Sequence, residues 1–234
     1  MGFLEIISRQ HNLKEGAGKP YPVEGAAFFF ALIRTHFWVF IKLNLLFTVF
    51  CIPIITIPSA IAGINRVLIL LIRNGHCFLW SDFWEEFRRS FFRSLKIGLV
   101  MTIGLGISYY LLNFGIENLQ SFSGLLGLVL GFWGTAFFCL FSAWTFVLTA
   151  MLDLNIGALL KNARILMLLE WRQNLVVMIV FVVAFCFILA VFPFSLPIYF
   201  LLLVSFAQYI ICYFLNGPVQ KHIIKPFEEK QKAG

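Results

Sequence analysis

The sequence predicts an all-α fold, a polytopic transmembrane helical bundle with six spans and amphipathic helices on its cytoplasmic surface. Of the 234 residues, 61% are hydrophobic and 18% aromatic, whereas only 12% are charged. An ordinary soluble domain carries about 25% charged residues. The mean hydropathy of +0.91 agrees with this composition. Such a chain cannot cover itself with water-compatible groups, so a soluble monomer and a disordered chain are excluded, and the sequence predicts a protein of the cell membrane.

The predicted spans are uncharged stretches long enough to supply the roughly 20 residues that cross a bilayer. The stretch 173–220 is too long for one helix, and Pro193 and Pro197 near its middle divide it into two. The segment 58–73, which follows a double-proline break, either returns across the membrane or lies at its interface. The predicted spans are 36–52, 58–73, 97–116, 125–152, 174–193 and 197–215.

The distribution of positive charge favours six spans over the alternative of five. With six, the N-terminal segment 1–35 and the basic tail 217–234 are both cytoplasmic, flanking the transmembrane domain 36–216. The outer connections then carry no Lys or Arg. Five spans would place an N-terminal tail with four cations outside, against the positive-inside rule. The net charge of +7 is therefore assigned to orientation and to contact with the lipid bilayer, including anionic lipid, and not to nucleic acid.

The segment 76–96 has the pattern of a basic, aromatic amphipathic helix. Its aromatic residues recur at helical spacing and form one stripe: Trp80, Phe83, Trp84, Phe87 and Phe91. The other face is charged, and Glu85 can reach Arg89 across one turn. Such a helix anchors in the membrane surface or docks a partner protein through the same face, and both alternatives remain open. A second amphipathic helix is predicted over 155–173.

Four polar residues lie inside the first predicted hairpin: Asn44, Thr56, Asn65 and Arg66. They either bond helices together and cap the proline-broken turn, or form an intramembrane contact site for partner helices. Arg66 needs an acceptor, and Asn44 or a turn carbonyl is nearest along the chain. The histidines and cysteines are dispersed, and no nucleotide-binding or catalytic motif occurs. The sequence therefore predicts a protein that is not an enzyme, with no catalytic residues, metal or cofactor.

Three short segments resemble the YesL family of small bacterial membrane proteins, a family of unknown function. They are Asn44-Leu45-Leu46 leading to Ile52–Ile57, Asp82-Phe83 with Phe87 and the basic run to Lys96, and Leu160–Arg164. After Thr56-Ile57 this chain has Pro58-Ser59-Ala60, whereas the family has Gly-Pro-Ala at that place. The resemblance implies an accessory component of carbohydrate or oligosaccharide uptake by an ABC-type system, with permease subunits or a second copy as partners. The alternative is a small transporter or channel-like protein that acts on its own.

Overall fold

The structure, a computed structural model, describes residues 25–190, 203–226 and 229, and all regular structure in these ranges is helical. This confirms the predicted all-helical class. The α-helices are α1 (Ala26–Cys51), α2 (Ile57–Asn74), α3 (Leu79–Glu117), α4 (Phe122–Met151), α5 (Ile156–Leu169), α6 (Trp171–Ala190) and α7 (Val204–Val219). A 3-10 turn, Ile54–Thr56, precedes α2, and a π-helical turn, Gln220–Ile224, continues α7.

Several of these helices are long and apolar enough to cross a membrane. Within the described ranges, α2 with its preceding turn, α3, α4 and α6 meet this condition, and α1 makes a fifth if its two halves form one span. The helices therefore indicate a membrane-embedded protein, and six spans are not confirmed. The predicted turn at Pro193 and Pro197, and the start of the predicted span 197–215, lie outside the described residues, as do residues 1–24.

A sharp bend divides α1 at His36. The halves Ala26–Thr35 and Phe37–Cys51 meet at 71°, and His36 has the non-helical angles φ −111° and ψ 24°. The second half matches the predicted span 36–52. The first half lies across α7, where the Tyr209 hydroxyl donates a hydrogen bond of 3.1 Å to the Phe29 carbonyl. Part of the predicted N-terminal segment 1–35 is therefore helical and packed.

The predicted surface helix 76–96 and the predicted span 97–116 form one continuous helix, α3, of 39 residues. At a rise of about 1.5 Å per residue it is about 58 Å long, roughly twice the hydrocarbon thickness of a bilayer. The predicted boundary rested on the change from charged to apolar residues. A change of polarity does not end a helix, and no proline interrupts the segment. The segment 76–96 is therefore not a separate helix.

The two halves of α3 have different neighbours. The first half packs against α2, which is more buried than the other three unbroken candidate spans. The Phe83 ring covers Gly63, and the Pro58 ring covers Gly98. The last turns of α4 complete this core, with Trp144 among its largest fully buried side chains. The first half of α3 is therefore part of the protein core.

The second half of α3 and the first half of α4 form a two-helix hairpin, residues 102–140. The buried residues in this range are all Gly or Ser: Gly104, Ser108, Gly115, Gly124, Gly127 and Gly131. Such small residues allow two helix backbones to approach closely. The Ser121 hydroxyl accepts a hydrogen bond of 3.0 Å from the Gly124 N–H and caps α4 at the turn. Side chains of the opposite helix cover three of these glycines, with Phe138 over Gly104, Leu128 over Gly115 and Leu112 over Gly131. These contacts between the two helices form the glycine seam.

The glycine seam makes opposite predictions for two Gly→Ala substitutions. A Cβ at Gly131 would lie 2.7 Å from the Leu112 backbone nitrogen and 2.9 Å from the Ser108 carbonyl oxygen, whereas one at Gly106 meets nothing within 4 Å. We expect Gly131→Ala to lower the free energy of unfolding by about 1–3 kcal/mol, because the helices must separate. Gly106→Ala should be neutral or stabilising by up to about 1 kcal/mol, because alanine favours helix.

Unfolding of the purified variants in mixed micelles with increasing SDS measures both effects. An equal loss for the two substitutions, or none for Gly131→Ala, would show that the two helices do not pack through this seam.

Candidate functional site

A cluster of charged residues lies where α2, the first half of α3 and the end of α4 meet. Arg66 comes from α2, and Asp153 lies two residues after the end of α4. The other members are Glu86, Arg89 and Arg93 of α3. Because positions 86, 89 and 93 are separated by three and four residues, they share one face of the helix. The continuity of α3 thus brings this charged face to the end of α4.

Glu86 is the buried acid of the cluster, with only 1% of its side chain exposed. It accepts a hydrogen bond from the Arg89 guanidinium, one turn away on the same helix. One of its carboxylate oxygens lies 3.9 Å from Nη2 of Arg93. Burial of an isolated carboxylate is costly, so these two cations allow Glu86 to remain in the core.

Two guanidinium groups donate hydrogen bonds to the C-terminal end of α4. Arg93 donates to the carbonyls of Thr149 at 3.2 Å and Leu154 at 3.1 Å, and to the Asp153 carboxylate at 2.9 Å. Arg66 donates to the Ala150 carbonyl at 3.3 Å. The last carbonyls of a helix have no partner within that helix and carry its negative dipole end. Cations from α2 and α3 therefore cap α4 and join the three helices.

The arrangement is suited to holding helices together. The acids of the cluster are paired with arginines, and no group of three or more His, Cys, Asp or Glu in the described ranges could hold a metal ion. In the loop before α3, burial raises the pKa of the Cys77 thiol to about 11, with a smaller contribution from Asp82. The thiol is therefore protonated at neutral pH and is a poor nucleophile.

The structure places the four predicted polar residues at separate helix contacts. The Asn44 side-chain oxygen accepts from the Ser205 N–H at 2.8 Å, joining α1 to α7. The Thr56 hydroxyl donates to the Phe50 and Pro53 carbonyls within the turn before α2. The remaining two, Asn65 and Arg66, face different helices.

Asn65 lies between α2 and α7, where its oxygen accepts from the Cys212 thiol at 3.4 Å. Arg66 donates a hydrogen bond to the Ala150 carbonyl of α4, an acceptor that proximity along the chain does not suggest. The four residues do not converge on one site.

The aromatic stripe of α3 faces the protein over most of its length. Phe83 and Phe87 are buried, and their ring centroids lie 5.3 and 5.0 Å from that of Phe50 in α1. The Trp84 ring is 5.7 Å from Phe50 and stacks on Phe87. Phe91 is half-buried and meets Phe87 edge-on. Trp80 is the most exposed member of the stripe, at 60%, whereas Trp84 and Phe91 are half-buried.

Glu86 and Arg93 were not among the predicted site residues. The sequence pattern placed them on a solvated face and paired Arg89 with Glu85, whereas the structure pairs Arg89 with Glu86. An acid followed by arginines three and seven residues later was the available signal. Its burial depends on the end of α4, about 60 residues away, which no local pattern reveals.

A protein-family model described as a protein of unknown function, DUF624, matches residues 40–112 of the chain. The matched region contains α2 and the four members of the cluster that α2 and α3 contribute. It covers about a third of the chain and assigns no activity. No curated protein and no solved structure matches the chain. Similarity therefore supports kinship with a family of unknown function over this region.

The cap on α4 predicts different costs for two Arg→Gln substitutions in α3. Arg93→Gln removes charged donors from the α4 carbonyls and a counter-charge from buried Glu86, so we expect unfolding free energy to fall by about 3 kcal/mol. Arg88 is exposed and lies over the Trp84 ring at 5.5 Å, so Arg88→Gln should cost at most about 1 kcal/mol.

Hydrogen exchange provides the site-specific measurement for this pair. Arg93→Gln should speed amide exchange in the last turns of α4, and Arg88→Gln should leave it unchanged. Unaltered protection of residues 145–151 in Arg93→Gln would rule out the capping role.

Proposed function

We propose that this protein is a non-enzymatic accessory component of an ABC-type carbohydrate or oligosaccharide uptake system, and that it docks against transmembrane helices of the permease. The resemblance of its short segments to the YesL family supplies the substrate class and the partner. The proposed topology has six spans with both termini in the cytoplasm. The charge cluster then lies toward the cytoplasmic side, and the uncharged turn between α3 and α4 lies outside, in keeping with the positive-inside rule.

The outward face of the α3–α4 hairpin is the observation that carries the docking role. Its large apolar side chains are exposed along both helices: Ile103, Ile107, Tyr109, Tyr110, Leu125, Val129, Phe132 and Trp133. The described helices leave this face uncovered. The buried small residues of the hairpin lie on the opposite side, in the contact between α3 and α4. At about 1.5 Å per residue the two arms of the hairpin rise about 24 and 28 Å, close to the roughly 30 Å thickness of the hydrocarbon layer. Lipid or helices of another membrane protein must therefore cover it, and the proposal assigns part of it to the permease.

The cavities give little support to the alternative of a transporter acting alone. A cavity of about 440 Å³ lies between α1, α2, α4, α6 and α7, and among the described residues its polar lining consists of Ser142 and Gln208. A second, of about 420 Å³ between α6 and α7, has an entirely apolar lining. A sugar needs several convergent hydrogen-bonding groups to replace its water. The surfaces of these cavities suit apolar chains better than a hydrated solute.

Gly106 offers a test of docking that spares the fold. It is exposed on the hairpin, and a Cβ there would meet nothing within 4 Å. Gly106→Leu therefore adds bulk that lipid tolerates but that blocks close approach of a second helix. When the chain is co-expressed with the permease subunits and purified in mild detergent, we expect this variant to lose most of the permease that the unsubstituted chain recovers.

Gly217 of α7 supplies the matched control, since it is also exposed and free of neighbours at its Cβ position. Gly217→Leu should recover the permease at the original level. Full recovery with Gly106→Leu would remove the hairpin from the interface. Absence of the permease from the unsubstituted preparation would reject the proposed function itself.

A further inference from the structure

A cationic and apolar surface lies at the junction of α5 and α6. Its cations are Lys161 and Arg164 of α5 and Arg172 of α6, and all three are exposed. Exposed apolar residues lie among them: Ile165, Leu168, Leu169 and Trp171. We propose that this surface, residues 161–172, binds the headgroups of anionic phospholipids in the membrane that holds the protein. The proposal is independent of any permease and goes beyond the proposed function.

The packing of α5 fixes which residues point outward. Leu159, Ala163 and Leu166 are buried against the rest of the protein. The Asn155 side chain caps the helix by accepting from the Ala158 N–H at 2.8 Å. The face turned away from these contacts carries Lys161 and Arg164. Helix α5 is thus held by one side and presents its cations on the other.

Charge balance leaves these cations available to an external anion. The nearest acids along the chain are already engaged: Asp153 with Arg93 at 2.9 Å, and Glu170 with His222 at 2.8 Å. In the part of the chain that the structure describes, no carboxylate forms an ion pair with Lys161, Arg164 or Arg172. A phosphate group is the complementary partner, and guanidinium groups bind phosphate with two parallel hydrogen bonds.

The position of the surface favours lipid over a soluble acidic partner. It directly precedes α6, the most apolar of the unbroken candidate spans, so it lies where a span enters the headgroup layer. Trp171 is the first residue of α6, and the Arg172 guanidinium lies over its ring at 5.7 Å. Tryptophan is enriched at this depth. Leu168, with 78% of its surface exposed, would be unfavourable in water but suits the acyl boundary.

Native mass spectrometry of the full chain released from bilayer nanodiscs tests the proposal. The discs contain equal amounts of phosphatidylglycerol and phosphatidylcholine, and the bound lipids are counted. The unsubstituted chain should retain phosphatidylglycerol preferentially. Lys161→Gln, Arg164→Gln and Arg172→Gln together should lower the ratio of bound phosphatidylglycerol to phosphatidylcholine by at least about fivefold, the effect of a single interfacial cation.

A matched triple variant removes the same charge elsewhere. Arg34→Gln, Lys42→Gln and Arg88→Gln together change exposed cations of α1 and α3 and should leave the ratio unchanged. An equal fall of the lipid ratio in both triple variants would show that the preference depends on net charge alone, and would overturn the proposed site. No preference for phosphatidylglycerol in the unsubstituted chain would also overturn it, and would favour an acidic protein segment as the occupant.

Two further measurements keep the proposal testable if the glutamine triple does not fold. Arg164→Lys with Arg172→Lys retains the charge but not the paired guanidinium hydrogen bonds, so it should retain more of the preference than the glutamine triple. Raising the salt concentration should weaken the preference of the unsubstituted chain, since exposed charges are screened. Two results would contradict binding between phosphate and these cations. One is a preference for phosphatidylglycerol that does not change with salt, and the other is a loss of preference in the lysine variant as large as that in the glutamine triple.

Discussion

The fold depends on how the C-terminal end of α4 is satisfied inside the protein. Helix carbonyls in the core need donors, and here the donors are the charged groups of Arg93 and Arg66. These two cations are half-buried, and buried Glu86 and exposed Asp153 supply counter-charge to Arg93. Each group therefore requires the others, and α2, α3 and α4 must assemble together. Loss of Arg93 would leave buried Glu86 and the last α4 carbonyls with fewer partners, and an uncompensated buried charge is costly.

Two different physical solutions hold neighbouring parts of the same helix pair. At the charged end, directional hydrogen bonds join α3 to α4 and specify their register. In the hairpin, Gly and Ser allow close backbone approach, and dispersion contacts act without a hydrophobic driving force between the helices. Directional hydrogen bonds suit the core, where several helices meet. Close Gly and Ser contacts suit the hairpin, where only two helices pack together. The change occurs near Gly98, where the Pro58 ring covers α3.

Sequence alone could predict the features that depend on composition and local pattern. The helical class and the long apolar helices followed from scarce charge, and the break at Pro53 and Pro58 separated two helices as expected. That α3 is one continuous helix could not be predicted, because a change from charged to apolar residues indicates different surroundings and does not indicate the end of a helix. Nor could the burial of Glu86, since the α4 carbonyls that hold its arginine partner are distant in the chain. The lipid surface at 161–172 was visible only as a second amphipathic segment.

Helix α3 runs without a break from the charge cluster to the hairpin. Its second half lies in the hairpin, and its first half carries Arg93, which bonds the end of α4. The contact between Pro58 and Gly98 lies between these two halves. Because α3 is one continuous helix, a tilt of its hairpin end about the contact between Pro58 and Gly98 would move its charged end in the opposite direction. Such a tilt would alter the hydrogen bonds that Arg93 donates to the end of α4.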